Sequence, residues 1–275
     1  MKKAFHYISL IIIASFALSC EKVVEVDLDT APPKLVVDAS IQWIKGTSGS
    51  EQKIKLTTTA PYYNTSVPVV SGATVFITNS TNVIFDFLET GNTGEYLCTN
   101  FQPVIGETYT LTVVYNGQTF TATETLTEVP DIEDLIEQNN EGGFTGDEIE
   151  IKFFYQDNGA EDNFYMIGFK PNDKPFPDYD VLEDRFFQGN QMFGLYSNED
   201  LKAGDLISIK LYGISRQYYN YMNVLLAVAG SNGGSPFQSP PATVRGNVVN
   251  QADENNFALG YFNLSQVDTV DYTIQ

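Results

Sequence analysis

The chain has 275 residues, with 15 basic and 35 acidic side chains and a net charge of −20. This balance excludes nucleic acid as the expected partner, because binding to phosphates depends on basic patches. The only histidine is His6 and the only thiol beyond Cys20 is Cys98, so the rest of the chain has no histidine-based catalytic triad, no histidine-bound metal and no internal disulfide.

Residues 1–19 have the features of a cleavable signal peptide. Lys2 and Lys3 make the start basic, residues 8–18 form an apolar run, and Ser19 is a small residue at the expected cut. The run is shorter than the roughly 20 apolar residues that a membrane-spanning helix needs. We therefore expect no transmembrane segment in the mature chain.

Residues 17–20, Ala-Leu-Ser-Cys, resemble the lipobox at which bacteria acylate a new N-terminal cysteine. We predict lipidation at Cys20 and a tether over residues 20–33. The usual lipobox has leucine three residues before the cysteine, whereas Leu18 is two before it, so secretion without a lipid is the alternative. Without Lys2 and Lys3 the 15 basic residues become 13 against 35 acidic ones, and the net charge is −22.

Residues 34–129 show the two-residue period of β-strands, with Ile54 and Leu56 alternating with lysines. Residues 109–115 and 119–123 flank Asn116-Gly117, a sequence that predicts a hairpin with a type I′ turn. Short, evenly spaced strands without a helical period predict an antiparallel β-sandwich that ends near residues 129–130.

Two residues of this region have alternative interpretations. Trp43 is the only tryptophan, and we predict a core position, with a sugar-stacking surface shared with Tyr62 and Tyr63 as the alternative. Cys98 has no electropositive neighbour in sequence, which favours a small buried apolar residue over a reactive thiol.

Residues 130–275 are predicted to form a second, β-rich domain. Polar residues 138–146 indicate a loop, and apolar residues 149–155 and 164–169 indicate two strands of a hairpin around Asp157. Asp157 and Asp162 are weak calcium candidates, but the ligand alternation of an EF-hand loop is missing. Asp-Asn-Gly favours a solvated turn instead. We expect no cofactor.

One amphipathic helix is predicted near residues 215–229, followed by Gly230. Its apolar stripe predicts packing on a sheet and consists of Ile214, Tyr218, Tyr221, Met222, Leu225 and Val228. Tyr219 lies off this stripe, where it could be exposed, and it is with Trp43 a candidate contact for a partner or ligand.

Several fragments in order resemble a family of outer-membrane lipoproteins, domain of unknown function 4249. They span nearly the whole mature chain and include residues 20–22, 35–38, 72–75, 94–96, 106–111, 184–190, 204–205, 218–221, 236–237, 246–248 and 258–262. The first half also looks like an Ig-like or transthyretin-like sandwich. The fold expected is mainly β, a sandwich followed by a β-rich domain with one helix.

The resemblance implies an accessory lipoprotein of TonB-dependent receptors, and it supplies no catalytic residue. The first hypothesis is a lipid-anchored protein on the outer face of the outer membrane, which is a non-catalytic accessory or ligand-binding partner of a TonB-dependent nutrient transporter. The alternatives are a surface glycan hydrolase with paired carboxylates and a structural adhesin. The nutrient ligand is not predicted.

Overall fold

The computed structural model describes residues 32–61, 64, 66–143, 146–229 and 244–275. The predicted signal peptide, Cys20 and the tether up to residue 31 lie outside them. The described residues form fifteen strands and one helix, so the chain is mainly β as predicted. The elements are β1 (Leu35–Ile44), β2 (Gln52–Thr58), β3 (Thr74–Asn79), β4 (Ile84–Glu89), β5 (Glu95–Cys98), β6 (Thr108–Tyr115), β7 (Gln118–Thr125), β8 (Ile132–Gly142), β9 (Glu148–Gln156), β10 (Phe164–Pro171), β11 (Asp178–Glu183), β12 (Gln191–Asn198), β13 (Leu206–Ile214), α1 (Arg216–Ala229), β14 (Val249–Asn250) and β15 (Leu259–Thr273).

Strands β1 to β7 surround the core of the first half. Alternate side chains of a strand point to opposite faces, so Ile54 and Leu56 of β2 are buried while the lysines that alternate with them are exposed. The buried residues of these strands belong to one hydrophobic cluster, which also contains Phe85 and Phe101. The antiparallel strands therefore fold over on themselves as a sandwich.

The hairpin of β6 and β7 follows the sequence prediction. Tyr115 pairs with Gln118 across the turn, and the two central residues have positive φ angles, 50° at Asn116 and 73° at Gly117. Positive φ at both central residues defines a type I′ turn, whose twist matches that of the strands. The turn type is confirmed.

The last strand joins the two halves of the chain. The first part of β15 pairs in parallel with β1, from Val36 opposite Leu259 to Ile44 opposite Val267. The rest pairs antiparallel with β13. One hydrogen-bonded sheet of twelve strands results, and residues 33–275 form one compact unit. The boundary predicted near residues 129–130 stays a prediction.

The second sheet has three strands in the order β12, β9, β8. The predicted hairpin around Asp157 is wrong, because β9 pairs with β8 and β12 whereas β10 pairs with β11 and β13. Asp157 itself is only 4% exposed, whereas the turn residues 158–162 that follow it are exposed to solvent. The segment instead carries the chain from one sheet to the other.

The loop predicted at residues 138–146 is also wrong in its first part, because β8 continues to Gly142. The side-chain oxygen of Gln138 accepts hydrogen bonds from the Tyr272 hydroxyl at 3.1 Å and from the backbone N–H of Gln275 at 2.9 Å. A polar side chain therefore serves a structural role in an edge strand, which a hydrophobic pattern does not reveal.

Helix α1 packs with β10 and β11 through a third apolar cluster. Its buried residues are Tyr218, Met222 and Leu226, each four positions after the last. Val228 is 42% exposed, so its predicted place on the stripe is wrong. At 100° per residue it lies roughly 200° around the helix from Leu226. Within the described residues, no helix has the length and apolar character needed to cross a membrane.

Candidate functional site

The candidate site lies at the start of α1, where side chains of β7, β15 and the helix meet. Ser215 is the N-cap, and its hydroxyl oxygen accepts the backbone N–H of Tyr218 at 3.1 Å. The same hydroxyl donates to the Glu124 carboxylate of β7 at 2.9 Å. The helix start is thus connected to the first half of the chain.

Three tyrosine rings pack together beside this cap. The ring centroids of Tyr218 and Tyr221 lie 4.9 Å and 4.8 Å from that of Tyr261, and 6.1 Å from each other. These distances are typical of interacting aromatic pairs. Burial raises the pKa of all three hydroxyls, so each is a neutral phenol at physiological pH.

A cleft of about 640 Å³ opens between α1, the end of β7 and the start of β15. This volume lies within the range of small-molecule sites in proteins. Its lining combines aromatic, amide and charged groups, among them Glu124, Gln217, Asn220, Tyr221, Arg245 and Tyr261. Such a mixture is suited to a ligand that has both apolar and hydrogen-bonding parts.

Glu124 is the most deeply buried charged group of the cleft, with 6% of its surface exposed. Its carboxylate accepts hydrogen bonds from the Thr125 backbone N–H at 3.1 Å, the Ser215 hydroxyl at 2.9 Å and the Tyr261 hydroxyl at 3.5 Å. Burial raises the pKa of this carboxyl. Among the described residues, no ion pair includes Glu124.

Arg245, in the segment before β14, brings a positive charge to the cleft. The Arg245 guanidinium lies 3.9 Å from the ring centroid of Phe257. Asn247 fixes the segment by exchanging two hydrogen bonds with the backbone of Phe262, at 2.8 and 2.9 Å. A Cβ atom on Gly246 would lie 1.6 Å from the carbonyl oxygen of Gly260, so only glycine fits this close approach.

A second feature is the aromatic loop, which we define as residues 184–190 between β11 and β12. Phe186 is 81% exposed and Phe187 50% exposed. The Arg185 guanidinium lies 5.5 Å from the ring centroid of Phe186. The loop therefore presents two adjacent apolar rings and one cation to solvent.

Two buried carboxylates hold this loop in place. Asp157 accepts hydrogen bonds from the Tyr165 hydroxyl at 2.6 Å and from the Gly189 backbone N–H at 2.7 Å. Asp184 accepts the Asn163 backbone N–H at 2.8 Å. A Cβ atom on Gly159 would lie 2.8 Å from the Cα of Gly189, so the turn and the loop touch through their backbones. The phenylalanines are exposed on a firmly anchored loop.

A polar hollow of about 400 Å³ lies beside the aromatic loop. It contains carboxylates of Asp162, Glu183 and Asp184 together with Arg185 and Arg216. The Arg216 guanidinium pairs with Asp162 at 2.7 Å, and burial raises the pKa of Asp184. The described residues contain no cluster of three or more histidine, cysteine or acidic side chains suited to hold a metal ion.

The structure separates the residues that the sequence analysis selected. The two calcium candidates contact different partners: Asp157 accepts hydrogen bonds from Tyr165 and Gly189, and Asp162 pairs with Arg216. Trp43 packs partly buried against the first core, and its indole N–H donates to the Thr47 carbonyl at 2.9 Å. Tyr219 is partly buried rather than exposed, with its ring 5.2 Å from that of Phe164. Cys20, Tyr62 and Tyr63 lie outside the described residues.

Cys98 is buried, as predicted, and its thiol donates to the Asn100 side-chain oxygen at 3.2 Å. Burial raises the pKa of the thiol. Both observations agree with a small apolar residue that is not reactive.

The sequence did not identify the residues of the cleft as a site, although Tyr221 was predicted on the apolar stripe of the helix. Glu124 did leave a signal, because it follows Phe120 and Ala122 at the inward-facing positions of β7. A charged residue at an inward position of a strand indicates a buried polar site. Arg245 and Tyr261 left no such signal, because both come near Glu124 from distant parts of the sequence. Tyr261 lies on β15, which pairs with β1, and Arg245 precedes β14, which pairs with β7.

Comparisons with solved structures return matches of low similarity. A two-domain fibronectin type III segment of chicken tenascin is 11% identical, covers 66% of this chain and 90% of its own, and has a TM-score of 0.22. A cytokine receptor complex is 8% identical, covers 68% of this chain and 86% of its own, and has a TM-score of 0.27. The FN1–FN3 domains of chicken CNTN1 are 10% identical over 66% and 59%, with a TM-score of 0.21.

No curated protein matches the sequence. A family model described as a domain of unknown function, DUF4249, matches residues 21–271. This match includes both halves of the chain, the cleft and the aromatic loop. The chain therefore belongs to the DUF4249 family.

Proposed function

We propose that this protein is a lipid-anchored, non-catalytic partner of a TonB-dependent nutrient transporter at the outer face of the outer membrane. The observation that carries the proposal is the aromatic loop. It holds Phe186 and Phe187 in solvent on anchors made by two buried carboxylates. Exposed aromatic residues on a fixed scaffold are typical of the central contacts of protein interfaces.

Docking on a partner would bury the two exposed phenylalanine rings and so lower their free energy. Burying one phenylalanine side chain contributes roughly 1.5–3 kcal/mol relative to leaving it in water. Phe186 and Phe187 are largely exposed in the isolated chain. Docking on a protein surface would bury them and supply much of this stabilisation. The neighbouring Arg185 adds a group that is common at interfaces.

The tether supports a partner in the same membrane. Residues 20–33 would extend at most roughly 45 Å from a lipid on Cys20, at about 3.3 Å per residue. A body held so close meets membrane proteins at high effective concentration. A TonB-dependent transporter is the partner that the family resemblance implies.

Binding is favoured over catalysis by the state of the carboxylates at the cleft. Glu124 faces donors from Ser215 and Tyr261, and no second carboxylate lines that cleft among the described residues. The hydrolase alternative has its best location in the polar hollow, where Asp184 has a raised pKa beside Glu183. Polysaccharide hydrolysis that is lost in the variant Asp184→Asn would support that alternative instead.

The experiment is co-purification from gently solubilised outer membranes with quantification by mass spectrometry. We expect a TonB-dependent transporter to accompany the native chain and to be depleted at least tenfold with the double variant Phe186→Ser, Phe187→Ser. Phe176→Ser is the matched control, because Phe176 is 77% exposed in a different turn. Retention of the transporter by the double variant, or recovery of the native chain alone, would contradict the proposal.

A further inference from the structure

In the cleft beside α1, the buried carboxylate of Glu124 forms no ion pair with any described residue. Glu124 is 6% exposed, and its three hydrogen bonds come from neutral donors. A buried anion without a cation is unfavourable, since burial removes hydration that only an opposite charge replaces well. A cationic group of a ligand would supply that charge.

The surroundings of Glu124 are suited to such a cation. The rings of Tyr221 and Tyr261 line the same cleft, 4.8 Å apart. Aromatic rings attract ammonium and guanidinium groups through their negative faces, and the attraction increases when water is excluded. A carboxylate beside aromatic rings thus offers two contacts to one positive group.

Other groups in the cleft match the rest of a peptide. Arg245 is exposed at the same cleft and stacked on Phe257, where it can bind a carboxylate or a peptide carbonyl. Asn220 and Gln217 offer amide donors and acceptors. A sugar could use the rings and amides, but it would leave Glu124 without a cation. The net charge of −20 also attracts positive ligands from a distance.

We infer that the cleft binds a short peptide whose ammonium or guanidinium group lies against Glu124 and the rings of Tyr221 and Tyr261. This inference deepens the proposed role as a binding partner and rests on it. It makes peptides with basic side chains the ligand class of the protein.

The test is calorimetric titration of the purified full-length chain in mild detergent. The probes are tripeptides with a central lysine or arginine, and the same peptides with norleucine in place of the basic residue. We expect the basic peptides to bind at least tenfold more tightly than the norleucine peptides. Glu124→Gln should weaken the basic peptides roughly tenfold or more, as expected for loss of a buried charged contact.

Two further variants separate this contact from general effects. Glu51→Gln removes the same charge from an exposed position on the surface and should leave the affinity unchanged. Tyr221→Leu keeps an apolar side chain but removes the ring, and it should weaken the basic peptides more than the norleucine peptides. Thermal unfolding of each variant shows whether it is folded. If Glu124→Gln is misfolded, the affinities of Tyr221→Leu test the inference in its place.

Equal binding of basic and norleucine peptides, binding of oligosaccharides alone, or undiminished binding by both Glu124→Gln and Tyr221→Leu would overturn the inference. These results are distinct from failure of the proposed function, because the titration contains no transporter. Co-purification of a transporter with a chain that binds no basic peptide would leave the accessory role intact and refute only the ligand class.

Discussion

The variant Asp157→Asn tests whether a buried carboxylate holds the aromatic loop in place. Asp157 accepts two hydrogen bonds, from the Tyr165 hydroxyl at 2.6 Å and from the Gly189 N–H at 2.7 Å. Asparagine has nearly the same shape but only one acceptor oxygen. The amide is also neutral, so the charge that strengthens both hydrogen bonds is lost.

The expected loss in the free energy of unfolding follows from the weakened hydrogen bonds of residue 157. A hydrogen bond to a charged group contributes about 1.5–3 kcal/mol, so we expect the free energy of unfolding to fall by about 2 kcal/mol. In a chain of this size, 1 kcal/mol lowers the melting temperature by roughly 2–4 °C. The predicted fall is therefore about 4–8 °C.

The assays are urea unfolding and limited chymotrypsin digestion, since this protease cleaves after exposed phenylalanines. We expect Asp157→Asn to increase cleavage after Phe186 and Phe187, because a neutral amide holds the N–H of Gly189 more weakly than the carboxylate does. Asp162→Asn is the control. Its carboxylate pairs with Arg216 at an exposed position, where an ion pair contributes about 0–1 kcal/mol. Equal stability and equal cleavage of the two variants would refute the reasoning.

Three other predictions concern the cleft and the first core. Gly246→Ala should lower the free energy of unfolding by about 1–3 kcal/mol in urea titrations, because a Cβ atom has no room beside Gly260. Burial raises the pKa of Glu124 above its ordinary 4.5, so the protonated form favours the folded state. The native chain should then lose stability relative to Glu124→Gln as the pH rises from 4.5 through the folded-state pKa, and the difference should be smallest near pH 4. Cys98 should react with Ellman's reagent only after denaturation, because its thiol is buried; rapid reaction of the folded chain would contradict that assignment.

Local patterns predicted the elements that local physics controls. The alternation of Ile54 and Leu56 with lysines identified β2, and Asn116-Gly117 identified the type I′ hairpin, because both depend on neighbouring residues alone. The apolar spacing predicted the helix, which the structure describes over Arg216–Ala229; the predicted end at Gly230 lies outside the described residues.

Contacts between distant parts of the sequence could not be found in this way. Nothing in the residues around Asp157 indicates that its carboxylate binds the N–H of Gly189, and a turn sequence between two strands by itself predicts a hairpin. The parallel pairing of β15 with β1 likewise has no local signal. Because that pairing brings Tyr261 to Glu124, the cleft depends on the tertiary fold.

We propose that the aromatic loop contacts a transporter. Photo-crosslinking in living cells detects this contact directly. A photoreactive benzoylphenylalanine would replace Phe186 in one strain and Phe176 in another. We expect a covalent adduct with a TonB-dependent transporter from position 186 and none from position 176. No transporter adduct from position 186, or equal adducts from both positions, would contradict it.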